Sequence, residues 1–244
     1  LINAPPLLRA IILAAGRGSR MKALTREKPK CLVSVRGKSL IDWQLETFHE
    51  CDIQDIAIVT GYKKNHLTNR GLVEFHNQHW ENTNMVCSLQ CASSWLENYP
   101  CIVTYSDIFF EPSAVKLLLS STSSIAITYD PNWLSLWQRR FEDPLVDAET
   151  FRVSDNQTLL EIGNRPSNLD TIQGQYMGLL SFTPKGWCEM FNMISSLKDY
   201  NVKSMHMTDA LQKLIELNRI SIHALPYFGE WGEIDSVSDL SVYQ

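Results

Sequence analysis

Apolar residues in this chain come mainly as short unbroken runs separated by polar punctuation. Leu8 to Leu13, Asp55 to Thr60 before Gly61-Tyr62, Leu72 to His76, Cys101 to Asp107, Ser124 to Tyr129, Tyr176 to Phe182 and Ile220 to Leu225 read as strands. Runs of this length suit strands buried on both faces. Between them lie helix signals: Ser39 to Glu50 with Ser39 at the cap, Asn84 to Glu97, Pro112 to Ser120, a helix opened by Thr183-Pro184, and the amphipathic His206 to Asn218. Thr150 to Val153 and Thr158 to Ile162 flank Asp155-Asn156 and predict a hairpin. The alternation predicts an α/β sheet, and with no repeat or low-complexity linker all 244 residues read as a single domain.

The first run leads into Ala14-Ala15-Gly16-Arg17-Gly18-Ser19-Arg20, and ten residues later comes Lys28-Pro29-Lys30. Gly16 and Gly18 allow backbone N–H groups to close around phosphate oxygens with no Cβ in the way. Arg20 and Lys30 add positive charge where a triphosphate would sit. A Walker loop would need Lys-Ser/Thr after its last glycine, whereas Gly18 is followed by Ser19 and Arg20. A dinucleotide fingerprint would need a small residue at Met21 and an acidic ribose ligand about twenty residues on, where Asp42 instead falls at a helix start.

Leu13 to Arg20, then Lys28-Pro29-Lys30-Cys31-Leu32, then Gly37-Lys38-Ser39-Leu40-Ile41 resembles the opening of the nucleotidyltransferases that join a nucleotide to a sugar phosphate, phosphocholine or phosphonate. The resemblance implies a Rossmann-like fold, a mostly parallel mixed sheet flanked by helices, with the loop around a nucleoside triphosphate. It implies Arg20 and Lys30 as catalytic residues that neutralise phosphate charge. In that family an Asp after the central strand and an Asp in a late Trp-x-Glu-Ile-Asp stretch bind Mg2+; Asp107 and Asp235 match, with Glu233 as an accessory ligand or as half of an ordinary ion pair. Magnesium suits one or two carboxylates completed by phosphate oxygens and water. Asp107 also stands at the carboxyl end of a strand, where open α/β sheets gather their ligands.

Net charge of −5 and the absence of a Lys/Arg run argue against a nucleic-acid partner. Six cysteines without a C-x-x-C pair read as reduced, and Cys87 with Cys91 as two packed thiols. No stretch approaches a membrane span, so the expectation is a cytoplasmic enzyme with small-molecule partners. The chain starts at Leu1, which leaves room for a longer polypeptide, and a homodimer is a further expectation.

In the phosphocholine and phosphonate branch, a segment like Glu81 to Leu89 lines base and ribose, so Asn84 and Ser88 are nucleotide-binding candidates together with Ala14, Ala15, Gly16, Gly18 and Ser19. Asn84 reads equally as a helix cap. Tyr129, Trp133, Trp137, Tyr176 and Trp231 supply aromatic faces that attract an ammonium, and Asp147 and Glu149 supply negative charge. Trp133 and Trp137, four apart, read equally as a packed helix face. The expectation is a metal-dependent cytidylyltransferase using CTP and a small phospho-acceptor such as phosphocholine or aminoethylphosphonate. A sugar-1-phosphate nucleotidyltransferase and a non-catalytic nucleotide-binding module are the alternatives.

Overall fold

Strands apolar on both faces need neighbours on both edges, and the runs supply them to one another. The computed structural model describes residues 7–243. Its first elements are β1 (Arg9–Ala14), β2 (Ser34–Val35), β3 (Lys38–Ser39), α1 (Leu40–Glu50), β4 (Asp55–Thr60), β5 (Val73–His76), α2 (Met85–Gln90) and α3 (Ser93–Leu96). Next come β6 (Cys101–Tyr105), β7 (Ile108–Phe110), α4 (Pro112–Leu119), β8 (Ile125–Asp130), α5 (Trp133–Arg140), β9 (Phe151–Val153), β10 (Leu159–Ile162) and β11 (Gln175–Phe182). The remaining elements are α6 (Pro184–Ser195), α7 (Asp199–Ser204), α8 (Met207–Leu217), β12 (Ile222–Pro226) and β13 (Trp231–Glu233).

Seven strands form one sheet in the order β12-β8-β11-β6-β1-β4-β5. All its pairings are parallel except those of β11, which runs antiparallel to both β6 and β8. The chain leaves β1 for β4 and β5, then crosses back to place β6 on the other side of β1. Loops from the carboxyl ends of β1 and β6 therefore diverge around a topological switch point, which opens a crevice there. The sheet is mostly parallel and flanked by helices, as expected, and the Asp155-Asn156 hairpin forms as β9 and β10.

Two departures bear on the site. The helix expected over Asn84 to Glu97 is two helices, because Cys91 N and Ala92 N bond three residues back to Ser88 O and Leu89 O, tightening the turn. The Ser93 hydroxyl then donates to Gln90 O at 2.7 Å, a local bond that competes with helix continuation. Beyond the strand expected to be last, β13 pairs antiparallel with β7, Glu233 opposite Ile108 and Trp231 opposite Phe110. Ile234 N donates to Asp107 O at 2.9 Å, so this small ribbon brings Asp107 and Asp235 together.

Caps follow the sequence signals. Ser39 Oγ accepts from Asp42 N and Thr183 Oγ1 from Gly186 N. Among the described residues no helix is long and apolar enough to cross a membrane. Gly186, in the first turn of α6, lies so close to β8 that a Cβ would meet Ser124 O and come within 2.8 Å of Ile125 Cγ1. Gly186→Ala should lower stability by about 1–3 kcal/mol; an unchanged urea midpoint would show that α6 is not held this tightly against the sheet.

Candidate active site

β1 stops at Ala14, and its continuation forms the floor of a cavity of about 320 Å³. Gly18 has φ +65°, and a Cβ there would stand 2.7 Å from Lys30 Cδ, so both backbone and packing require glycine. Gly16 differs: nothing lies within 4 Å of where its Cβ would be, although it lines the cavity. The protein's own packing does not demand glycine there; close approach of a ligand would. Ala15 and Ser19 also line the space, with Ala14 one residue behind in β1.

Lys30 reaches across this loop. Its ammonium donates to Asp107 Oδ2 at 2.8 Å and to Asp235 Oδ1 at 2.7 Å, with only 8% of the side chain exposed. Burial opposes the charged ammonium, but the two carboxylates outweigh it and hold the Lys30 pKa above its ordinary value. Arg20 pairs with Asp235 Oδ2 from the solvent side. Arg20, Lys30, Asp107 and Asp235 thus meet with Gly16 and Gly18 around one cavity.

The donor set fits magnesium. Asp107 Oδ1 is buried without a hydrogen-bond partner, next to a second carboxylate, and phosphate oxygens would complete the shell. Among the described residues no group of three or more His, Cys, Asp or Glu forms a metal cluster. Glu233 does not line the cavity; its Oε2 is paired with Arg140 Nη1 at 2.7 Å, the ion-pair alternative left open by the sequence. Arg140 also donates through Nε to Asp239 Oδ1 at 3.1 Å, while Asp239 Oδ2 accepts from Asp235 N at 2.9 Å. The backbone of Asp235 is held through this relay.

Asn84 fills both readings: its Oδ1 accepts from Met85 N at 2.8 Å as a cap, and it lines the cavity. Ser88, one turn on, lines the same wall, its Oγ accepting from Asn77 Nδ2 at 3.1 Å. Trp80, Tyr105, Ser106 and His206 line it as well and were not singled out from sequence. Tyr105 and Ser106 adjoin Asp107 and so carried a signal; Trp80 and His206 belong to no motif and arrive only through folding.

The aromatic residues divide. Tyr129 packs on Phe151 with ring centroids 4.8 Å apart, Trp133 Nε1 donates to Ile172 O, and Trp231 Nε1 donates to Asp130 Oδ2. These three rings belong to the core and do not line the cavity beside the glycine loop; Trp231 lines a separate cavity of about 260 Å³. Trp137 is 4% exposed and packed between Trp133 and Trp231; its N–H acts on Asp147 and the Tyr176 hydroxyl on that of Tyr105, while Arg140 Nη2 is buried without a partner. Tyr176 meets the edge of Tyr105, whose hydroxyl feels the charges of Glu149, Asp107 and Glu233. Asp147 is likewise close enough to Arg140, Asp235 and Arg20 for their charges to act on it. A polar interior therefore adjoins Asp107 and Asp235.

Glu149 belongs to that interior. Gln175 holds its backbone at both N and O, and its Oε1 accepts from Thr208 Oγ1 at 3.3 Å. Burial, only partly offset by that bond, pushes its carboxyl up to about 7.

Residues 10–150 match the MobA-like NTP transferase domain. The chain is 36% identical, over 96% of its length and 98% of the relative's, to the CTP:phosphoglutamine cytidylyltransferase of Campylobacter jejuni. It is 24% identical over 96% of its length, and 91% of the relative's, to the 2-aminoethylphosphonate cytidylyltransferase of Lancefieldella rimae. Its fold matches the inositol-1-phosphate CTP transferase of T. maritima with a TM-score of 0.78 and 19% identity, covering 98% of this chain and 94% of that one.

A carboxyl raised from 4.5 to about 7 keeps its proton in the native state where the unfolded chain has lost it. Stability should fall as pH rises from 4.5 through 7, with the full penalty present above 7. Glu149→Gln should therefore raise the urea midpoint relative to wild type at pH 8 and much less at pH 5. An equal difference at both pH values would remove Glu149 as a strained carboxylate.

Proposed function

The chain belongs to the family of MobA-like NTP transferase domains, and on that premise we propose that it moves CMP from CTP onto a small phosphate- or phosphonate-bearing acceptor, with magnesium. It is a nucleotidyltransferase, and cytidylyl transfer to phosphorylated acceptors is supported by the C. jejuni and L. rimae relatives. One observation carries the catalytic reading: the Lys30 ammonium held between Asp107 and Asp235 beside the glycine loop.

In the proposed reaction an oxygen of the acceptor phosphate attacks the α-phosphorus of CTP, the α–β P–O bond breaks, and pyrophosphate leaves with the electron pair. Backbone N–H groups around Gly16 to Ser19 grip the triphosphate. Arg20 and Lys30 neutralise charge that grows on the non-bridging and leaving oxygens, and Lys30 does so from a fixed, desolvated position. Asp107 and Asp235 would hold magnesium, which when bound supplies Lewis-acid stabilisation of those oxygens. Asn84 and Ser88 orient the nucleoside half.

For the acceptor, the half-buried carboxyls of Glu149 and Asp147, both pushed upward chiefly by loss of solvent, favour a ligand that brings positive charge. Trp137 Nε1 and Tyr176 Oη supply further polar contacts. An amino-phospho compound such as phosphocholine, aminoethylphosphonate or a phosphorylated amino acid meets these demands better than a neutral sugar phosphate.

Lys30→Ala and Asp107→Asn should each lower kcat by at least about a thousandfold. Near-normal pyrophosphate release from either would overturn the catalytic assignment. Wild-type protein with the four nucleoside triphosphates and a panel of amino-phospho compounds and sugar phosphates should release pyrophosphate fastest with CTP and an ammonium-bearing acceptor. Glu149→Gln should then raise the KM of that acceptor about tenfold while leaving the KM for CTP unchanged. Equal changes in both constants would show that Glu149 does not face the acceptor.

A further inference from the structure

Arg140 is the last residue of α5, and none of its side chain is exposed. Its Cζ lies 5.1 Å from the centroid of the Trp137 ring and 5.0 Å from that of Phe141. The two nitrogens that find partners reach either flank of Asp235. Nη1 donates to Glu233 Oε2 at 2.7 Å, and Nε donates to Asp239 Oδ1 at 3.1 Å. The second oxygen of Asp239 passes the restraint on: Oδ2 accepts from Asp235 N at 2.9 Å, Ser236 N at 2.7 Å and Ser236 Oγ at 3.1 Å. Both peptide groups that flank the Asp235 Cα thus donate to one oxygen of Asp239, and Arg140 holds the other oxygen.

This is a costly way to gain stability. Burying a guanidinium with two carboxylates gives up solvation that the ion pairs roughly repay, and apolar residues of similar volume often serve as well. Arg140 Nη2 adds to the cost, because it is buried without a partner. What the planar fork does supply is direction, since it sets carboxylates at fixed angles where an ammonium cannot. We propose that Arg140 is a positioning residue for the transfer: through Asp239 it sets the angle at which Asp235 presents its carboxylate to Lys30. Arg140 does not line the cavity, so it acts through Asp235 and not on a ligand there. The inference rests on the transfer reading above, in which the Lys30 ammonium between Asp107 and Asp235 carries the chemistry.

Arg140→Lys keeps the charge but cannot bond both carboxylates in fork geometry. It should lower kcat for pyrophosphate release by about tenfold or more, because a small displacement of a charged group beside the reacting atoms is enough. The KM of the acceptor, the calorimetric Kd for CTP and the thermal midpoint should stay near those of wild type. Wild type, Arg140→Lys, Asp235→Glu and the double variant complete a cycle. Once Asp235 is changed, losing Arg140 should cost less than about threefold, since its effect passes through that residue. Losses that multiply in the double variant would overturn the proposal, as would an unchanged kcat in folded Arg140→Lys protein. Raised KM values for both substrates together with a lowered midpoint would show general loosening and overturn it too. If Arg140→Lys does not fold, Asp239→Asn carries the same test, because one end of its amide turns a donor towards either Arg140 or the Asp235 backbone. Full turnover by these variants removes Arg140 alone and leaves the transfer reading standing. If wild type releases no pyrophosphate with any triphosphate and acceptor, the transfer reading fails and this inference fails with it.

Discussion

One ammonium shared by two carboxylates organises the site. Lys30 comes from the segment after the glycine loop, Asp107 from the turn after β6 and Asp235 from the segment after β13, and each is useful only where the other two hold it. In so buried a position, removing one member leaves charge without compensation, which typically costs about 3–5 kcal/mol. The same arrangement that makes the cluster costly to disturb makes it suitable for a polyphosphate: positive charge is fixed in place and dehydrated before substrate arrives.

A second, smaller core keeps these three segments in register. Met21 from the loop, Val33, Val35 and Leu40 after Lys30, Phe109 from β7, and Ile234 and Tyr243 near the carboxyl end pack into one apolar group separate from the main sheet core. It sits where the strands of the main sheet do not reach, and it joins the phosphate loop to the Asp235 segment. Arg140, its guanidinium buried between Glu233 and Asp239, adds a polar tie to the same segment. The hydrogen bond from Asp235 N to Asp239 fixes the backbone from which that carboxylate projects. Apolar packing sets the distance between segments; the ion pairs set the angle.

The two sides of this cluster differ in what they lack. On the glycine-loop side there is open volume, an unfilled position over Gly16 and exposed cationic charge on Arg20. Beside Asp107, whose Oδ1 is buried without a partner as is Arg140 Nη2, lie Asp147, acted on by Trp137, and Tyr176, bonded to Tyr105. Native interiors rarely leave buried polar atoms unbonded, which sets Asp107 Oδ1 and Arg140 Nη2 apart.

The sequence by itself determined the α/β alternation, the caps at Ser39 and Thr183, and the family likeness carried by Leu13 to Arg20, because these depend on local periodicity and on residues close in the chain. It also placed Asp107 as the last residue of a strand, two beyond the observed end at Tyr105, and named Lys30 and Asp235. Their meeting was not legible, because it depends on the antiparallel pairing of β7 with β13, two three-residue strands too short to announce themselves. The aromatic residues show the same limit: composition marks Tyr129, Trp133, Trp137 and Trp231 alike, yet only packing decides that Trp133 donates to Ile172 O and Trp231 to Asp130 inside the core while Trp137 acts on Asp147. His206 lay in no motif and reaches Asn84 only because α8 begins where α2 begins. Local patterns encode elements and their ends; which side chains share a cavity is set by long-range contacts, and those exist only once the chain has closed on itself.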